Sequence, residues 1–180
     1  EVEEVKRITP IVDAVICGSE YIRKRAIEYN SNSVYLPESI DFQHFIYSKK
    51  WSNGDRQIPR AIWSGQSVKS SEAAELYPTL IKRSIPLTII SNKKPDIPGP
   101  YNIRTWSYYT FPKYVVKGDF CISPRRTDNV YNLGHSHFKI GVFMAQGVPA
   151  LAAPLPSYRE VIAKTGGGRI CESDLEWEKA

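Results

Sequence analysis

The chain has 180 residues, 42% of them hydrophobic, enough for one full domain with a real core and room for a fragment of another. Its net charge is +5, and its 24 Lys and Arg are scattered rather than blocked. That balance suits an anionic ligand or a membrane surface and argues against a dedicated nucleic-acid stripe. No apolar run approaches the roughly 18 residues of a spanning helix, and the acidic start does not read as a signal peptide. Cys17, Cys121 and Cys171 each sit in a short apolar run. An odd count without close pairs points to reduced core thiols and a cytoplasmic setting.

In chain order, residues 1–11 read as the end of an amphipathic helix and 12–17 as a strand. Ser19 is the expected N-cap of a helix running to Tyr29. Residues 33–36 form a second strand, stopped by Pro37, and Asp41 caps a short turn through Phe45. Residues 1–46 are therefore expected to be a terminal β/α segment of a preceding domain. The Lys, Ser, Asn, Gly, Asp and Arg of 47–58 read as a linker. The pattern then restarts. Strands are expected at 60–63, 87–90, 103–106, 120–123, 150–153 and 169–171. Helices are expected at 72–83, 112–116, within 134–146, at 158–164 and from Asp174 onward. Gly166-Gly167-Gly168 follows a helix and reads as its stop. Short apolar strands alternating with helices predict an α/β domain with a doubly wound, mostly parallel, Rossmann-like sheet over 59–180.

Such sheets bind ligands at the carboxyl ends of their strands. Gly65 and Gln66 follow the first strand of this domain, and Gly65 has no Cβ to hold a phosphate off the backbone. Ser91 follows the next strand, and Trp106 and Ser107 the one after, in an aromatic cluster able to pack a base. After 120–123 comes a loop with Arg125, His135, Ser136 and Lys139, ahead of a helix whose N-terminus attracts anions. Lys139 and Ser136 would add charged and hydroxyl hydrogen bonds. The expected diphosphate contacts are thus Gly65, Gln66, Ser136 and Lys139. Ser91, Trp106, Ser107, Arg125 and His135 are expected to touch base or sugar. The His135-Ser136-His137 pair lacks a third ligand at metal spacing, so no metal is assigned. No catalytic residue is assigned either.

The order of these parts resembles a known family. Residues 13–21 (DAVICGSEY) and 34–41 (VYLPESID) look like the closing strands of the N-terminal domain of GT-B glycosyltransferases. Residues 61–65 (AIWSG), 118–124 (GDFCISP), 139–147 (KIGVFMAQG) and 148–153 (VPALAA) look like the donor-binding C-terminal domain. The similarity is greatest to the group 1, family-four retaining type. It implies one half of a GT-B fold, with the donor domain truncated at its C-terminus. It also implies a hexosyltransferase-type activity in a longer protein, with the fragment alone inactive. A nucleotide-sugar donor would be substrate rather than cofactor, and the acceptor a glycan or a lipid-linked molecule. The cationic balance suits peripheral membrane contact through the N-terminal domain.

The departures weigh on the implied activity. Gly134 and Val142 stand where the family has two glutamates eight apart, and Gln66 stands where it has an arginine. Lys69 is not at the usual lysine spacing. The alternative reading is a non-catalytic nucleotide- or sugar-binding domain that has lost the glutamate pair.

Overall fold

The computed structural model describes residues 2–51 and 58–180. The linker expected at 47–58 lies in part, at 52–57, outside the described residues. The first elements are α1 (Val2–Ile8), β1 (Val15–Cys17), α2 (Glu20–Ala26) and β2 (Ser33–Tyr35). β1 and β2 pair in parallel as a separate two-stranded sheet. Ser19 caps α2 as expected, its Oγ accepting from the Ile22 amide at 3.3 Å.

The remaining chain forms β3 (Ala61–Ser64), α3 (Ser71–Lys82), β4 (Leu87–Ser91), β5 (Asn102–Thr105), α4 (Phe111–Val115) and β6 (Phe120–Ser123). These are followed by α5 (Val130–Leu133), α6 (Phe138–Ala145), β7 (Ala150–Ala152), α7 (Pro156–Thr165), β8 (Gly168–Ile170) and α8 (Asp174–Lys179). All six strands are parallel, in the order β5-β4-β3-β6-β7-β8. The winding therefore runs one way from β3 to β5, returns through α4, and runs the other way from β6 to β8. This is the strand order of dinucleotide-binding folds, with its switch point between β3 and β6. The doubly wound parallel sheet read from the sequence is the sheet observed.

Period-two alternation divides the strands between two cores. Ile62, Cys121 and Ala150 face one core, completed by Val115, Ile140, Phe143, Leu155 and Tyr158 from α4, α6 and the start of α7. Ala61, Trp63, Leu87 and Ile89 face the other, against Ala73, Leu76, Tyr77 and Leu80 of α3. Both faces are covered over β3, β4, β6 and β7, which is why those strands read as near-continuous apolar runs, whereas the edge strand β5 is largely exposed. The three thiols are buried and unpaired. Gly166 ends α7 at φ +66°, as the helix stop expected of it. One helix escaped the sequence reading: α5 is a single turn inside a polar loop, capped by the Asn129 side chain on the Asn132 amide. No helix among the described residues is long and apolar enough to cross a membrane.

The strap that leads out of the first segment is tied down at the amino end of the sheet. Lys49 Nζ donates to Asp119 at 2.6 Å and to the Gly118 carbonyl at 2.6 Å, while its amide donates to the Gln146 carbonyl at 2.7 Å. Asp119 also accepts from the Arg60 amide at 2.9 Å and the Arg60 guanidinium at 3.2 Å. Burial works to raise the Asp119 pKa. Lys49 and the two Arg60 donors outweigh it and hold the carboxyl well below its ordinary 3.8.

Asp119→Asn would leave the Lys49 side chain, 6% exposed, without its counterion. Urea unfolding at pH 7 should register a loss of roughly 3 kcal/mol. Because the folded pKa is depressed, the carboxylate's contribution is complete above about pH 4 and fades on acidification below it. The gap between wild type and variant should close in that range.

Candidate functional site

At the carboxyl ends of β3 and β6, where the winding reverses, lies a cavity of about 480 Å³. A larger groove of about 730 Å³ runs under the amino ends of the same strands, beside Phe120, Pro149 and Gly168. The smaller cavity is the candidate site, because it holds the unmet hydrogen-bonding capacity. Among the described residues five buried side-chain polar atoms lack a hydrogen-bond partner. Four of them, Trp63 Nε1, Glu72 Oε2, Arg125 Nε and His135 Nε2, belong to residues lining this cavity. Buried polar groups are nearly always bonded, so such a cluster marks where a ligand's own polar groups would fit.

Trp63 builds the floor. It is fully buried as the third residue of β3. Gly65, two residues on, lies over the indole, and a Cβ there would come within 2.7 Å of the ring. The glycine is thus required by the tryptophan beneath it. Its amide donates to the Ile90 carbonyl at 3.1 Å and is committed to the sheet rather than free for a ligand. Lys139, the second residue of α6, holds its ammonium 4.8 Å from the centre of the same indole. It makes no hydrogen bond or ion pair to a described residue. Burial, then the positive charge of Arg125, pushes its pKa down to about 7, against the opposing pull of Glu72. Lys69, by contrast, is occupied, donating to the Tyr131 hydroxyl at 2.6 Å.

Arg125 leaves the end of β6 and is steadied by α5. Its Nη1 donates to Asn132 Oδ1 at 3.1 Å, and Asn132 Nδ2 in turn donates to the Arg126 carbonyl at 2.8 Å. His135 is pushed down to about 4, by burial first and then by Arg125, Lys69 and Lys139, so its ring is neutral at pH 7. Ser136 donates its hydroxyl to Glu38, which ties the first segment to the rim. Aromatic side chains close the opposite wall. His44 stacks on Tyr108 at 3.8 Å, and Phe45 and Phe143 meet Phe111 edge-on.

Of the nine residues singled out from sequence, Gly65, Gln66, Trp106, Arg125, His135, Ser136 and Lys139 line this one cavity. Ser91 and Ser107 do not. Ser91 is buried at the end of β4, its hydroxyl on Asn92 Oδ1 at 3.3 Å. The Ser107 carbonyl accepts from the Thr110 and Phe111 amides and starts α4. Sequence reasoning missed Trp63, Glu72 and Asn132. The Trp63-x-Gly65 spacing was a usable signal, since residues two apart on a strand share a face. At the positions of the family's two glutamates, Val142 is 2% exposed against the cavity, and the Gly134 carbonyl accepts from Ser19 Oγ at 2.8 Å.

An unpaired ammonium costs folding energy that a ligand's negative charge would return. With a folded pKa near 7 against the ordinary 10.5, stability falls as pH drops from 10.5 to 7, where only the unfolded chain takes up the proton. Lys139→Met should therefore raise stability at pH 7 by on the order of 4 kcal/mol and gain nothing above pH 10.5. Thermal unfolding of both proteins across that range checks it. Gly65→Ala should cost roughly 1–3 kcal/mol by forcing Trp63 aside. A changed tryptophan emission would accompany the loss.

No protein-family model matches the chain, and no curated protein matches it in sequence. Solved structures do match it. Sucrose-phosphate synthase from Thermosynechococcus elongatus superimposes with a TM-score of 0.67 at 9% identity, over 97% of this chain and 49% of that one. WaaG, a glycosyltransferase involved in lipopolysaccharide biosynthesis, superimposes with a TM-score of 0.65 at 10% identity, over 91% of this chain and 51% of that one. The chain spans about half the length of each. Identity this low speaks for the fold alone, and that fold is the GT-B glycosyltransferase type, of which this chain forms about half.

Proposed function

We propose that this chain is the donor side of a glycosyltransferase and that its cavity binds the diphosphate of a nucleotide sugar. The observation that carries the reading is the free ammonium of Lys139, held over Trp63 within the same cavity wall as the Gly65 bend. Lys139 and Arg125 supply positive charge, and the neutral His135 ring has one nitrogen to offer as donor or acceptor. Fixed in a half-buried crevice, these groups stabilise the charge that grows on a departing nucleoside diphosphate. The aromatic wall of Trp106, Tyr108 and Phe111 gives flat apolar surface to a base or sugar face. In this reading the nucleotide sugar is substrate and the side chains are the counter-charge. The acceptor, a glycan or lipid-linked molecule, and any catalytic side chain come from the facing domain. Val142 in place of a carboxylate removes one anchor for a ribose, so the aromatic wall carries more of the nucleoside's hold.

Two of the four tryptophans, Trp63 and Trp106, line the cavity, so intrinsic fluorescence reports occupancy. Titration with UDP, GDP and their sugars at pH 6.5 should give a saturable change. The affinity should weaken as pH rises beyond about 7, where Lys139 loses its proton. Lys139→Met should stay folded and lose the response. Silence of the wild type to every one of these ligands at millimolar concentration would overturn the reading.

A further inference from the structure

We infer that Glu72 sets the specificity of this cavity, accepting a hydrogen bond from a hydroxyl or amino group of the transferred sugar while the phosphates are confined to the Lys139 and Arg125 side. The inference rests on the nucleotide-sugar reading above and assigns a part of the ligand to a residue which that reading leaves idle.

Glu72 is the second residue of α3, in the first turn of a twelve-residue helix that opens beside the β3 bend. The amino end of a helix in that position is where these folds commonly receive a phosphate. Here the protein puts its own carboxylate there, and a phosphate entering that corner would meet like charge. The carboxylate is also unspent. Its Oε2 is buried with no hydrogen-bond partner, and no ion pair joins it to Arg125, Lys69 or Lys139. Glu72 and Lys139 line the same cavity with no ion pair between them, and the carboxylate works to raise the Lys139 pKa. Beyond Glu72 and Arg125 lies a second cavity of about 200 Å³, and its lining adds Glu75, Glu172 and Arg126, the last paired with Asp128 at 3.0 Å. Three carboxylates against two guanidiniums, one of them engaged by Asp128, make that flank less favourable to phosphates than the Lys139 side.

An open pair of opposite charges suits a ligand that is itself divided, anionic at one end and hydrogen-bond donating at the other. A sugar joined to a diphosphate has that division. Trp63 Nε1, also unpartnered, adds a donor at the cavity floor for an oxygen of the same ligand. Glu72 donates nothing when ionised and accepts strongly, so it prefers hydroxyl or amino groups to any oxyanion.

Calorimetric titration of wild type, Glu72→Gln and Glu72→Asp tests the assignment, with inorganic pyrophosphate, UDP, GDP, UDP-glucose and GDP-mannose as probes. The wild type should prefer a sugar-bearing member over its bare diphosphate. Glu72→Gln, near-isosteric and unchanged in melting temperature, should bind pyrophosphate and the bare diphosphates severalfold more tightly. It should bind the preferred nucleotide sugar about tenfold more weakly, the worth of a charged hydrogen bond. Glu72→Asp keeps the charge but falls short of the ligand, so it should lose the sugar preference without gaining affinity for pyrophosphate. If Glu72→Gln moves bare and sugar-bearing ligands in the same direction by the same factor, the assignment is wrong and the diphosphate reading survives. Should no probe bind the wild type, the nucleotide-sugar reading itself falls, and this assignment with it.

Discussion

The reversal of winding between β3 and β6 is the constraint on which the site depends. Two neighbouring parallel strands whose connections leave in opposite directions cannot both be roofed by the same helix. A crevice therefore opens above their carboxyl ends. Four of the five unpartnered buried polar atoms among the described residues belong to residues at that crevice. Trp63 and Gly65 come up from β3, Arg125 from β6, and Lys139 from the helix that returns the chain toward β7. The indole of Trp63 joins them, lying under the glycine on one side and under the ammonium on the other.

Two lysines in the same protein are buried to opposite ends. Lys49 sinks its ammonium against Asp119 and a backbone carbonyl, both at 2.6 Å, and its charge is neutralised by the fold. That pair ties the strap to the amino ends of β3 and β6 and asks nothing of a ligand. Lys139 lies against an aromatic face, with no hydrogen bond or ion pair to a described residue, and its pKa is drawn down to about 7 by burial. The first arrangement is what burial of a charge needs for stability. The second leaves charge unsatisfied in a place a solute can reach, as functional sites do at some expense to the fold.

Much of the architecture was legible because its signals are local. The inner strands β3, β4, β6 and β7 are three to five residues long, largely buried, and mainly apolar. Ser19 and Ser173 cap α2 and α8, and α7 starts at Pro156 and stops at Gly166, for reasons that act within a few residues of the chain. α5 was not legible, because a single turn capped by Asn129 has too few residues to show any periodicity. Seven of the nine residues chosen by looking just beyond the carboxyl end of each strand line the one cavity. Ser91 and Ser107 were chosen by the same rule and do not line the cavity, since a place after a strand does not say which way a side chain turns.

Alternating apolar runs, capping residues and turn glycines determined, without any tertiary information, that this chain makes parallel strands joined by helices. They also determined that its polar loops gather at the strands' carboxyl ends. Tertiary structure alone decided which of those groups meet: that Gly65 is demanded by an indole, that Arg125 is steadied by Asn132, that Lys139 has no hydrogen-bond or ion-pair partner among the described residues, and that Glu72 lines the same cavity with an oxygen left unbonded. Elements are chosen by energies acting over a few residues. The contacts of the cavity join residues on different elements, such as Trp63 of β3 and Lys139 of α6, and exist only once both cores have closed around the sheet.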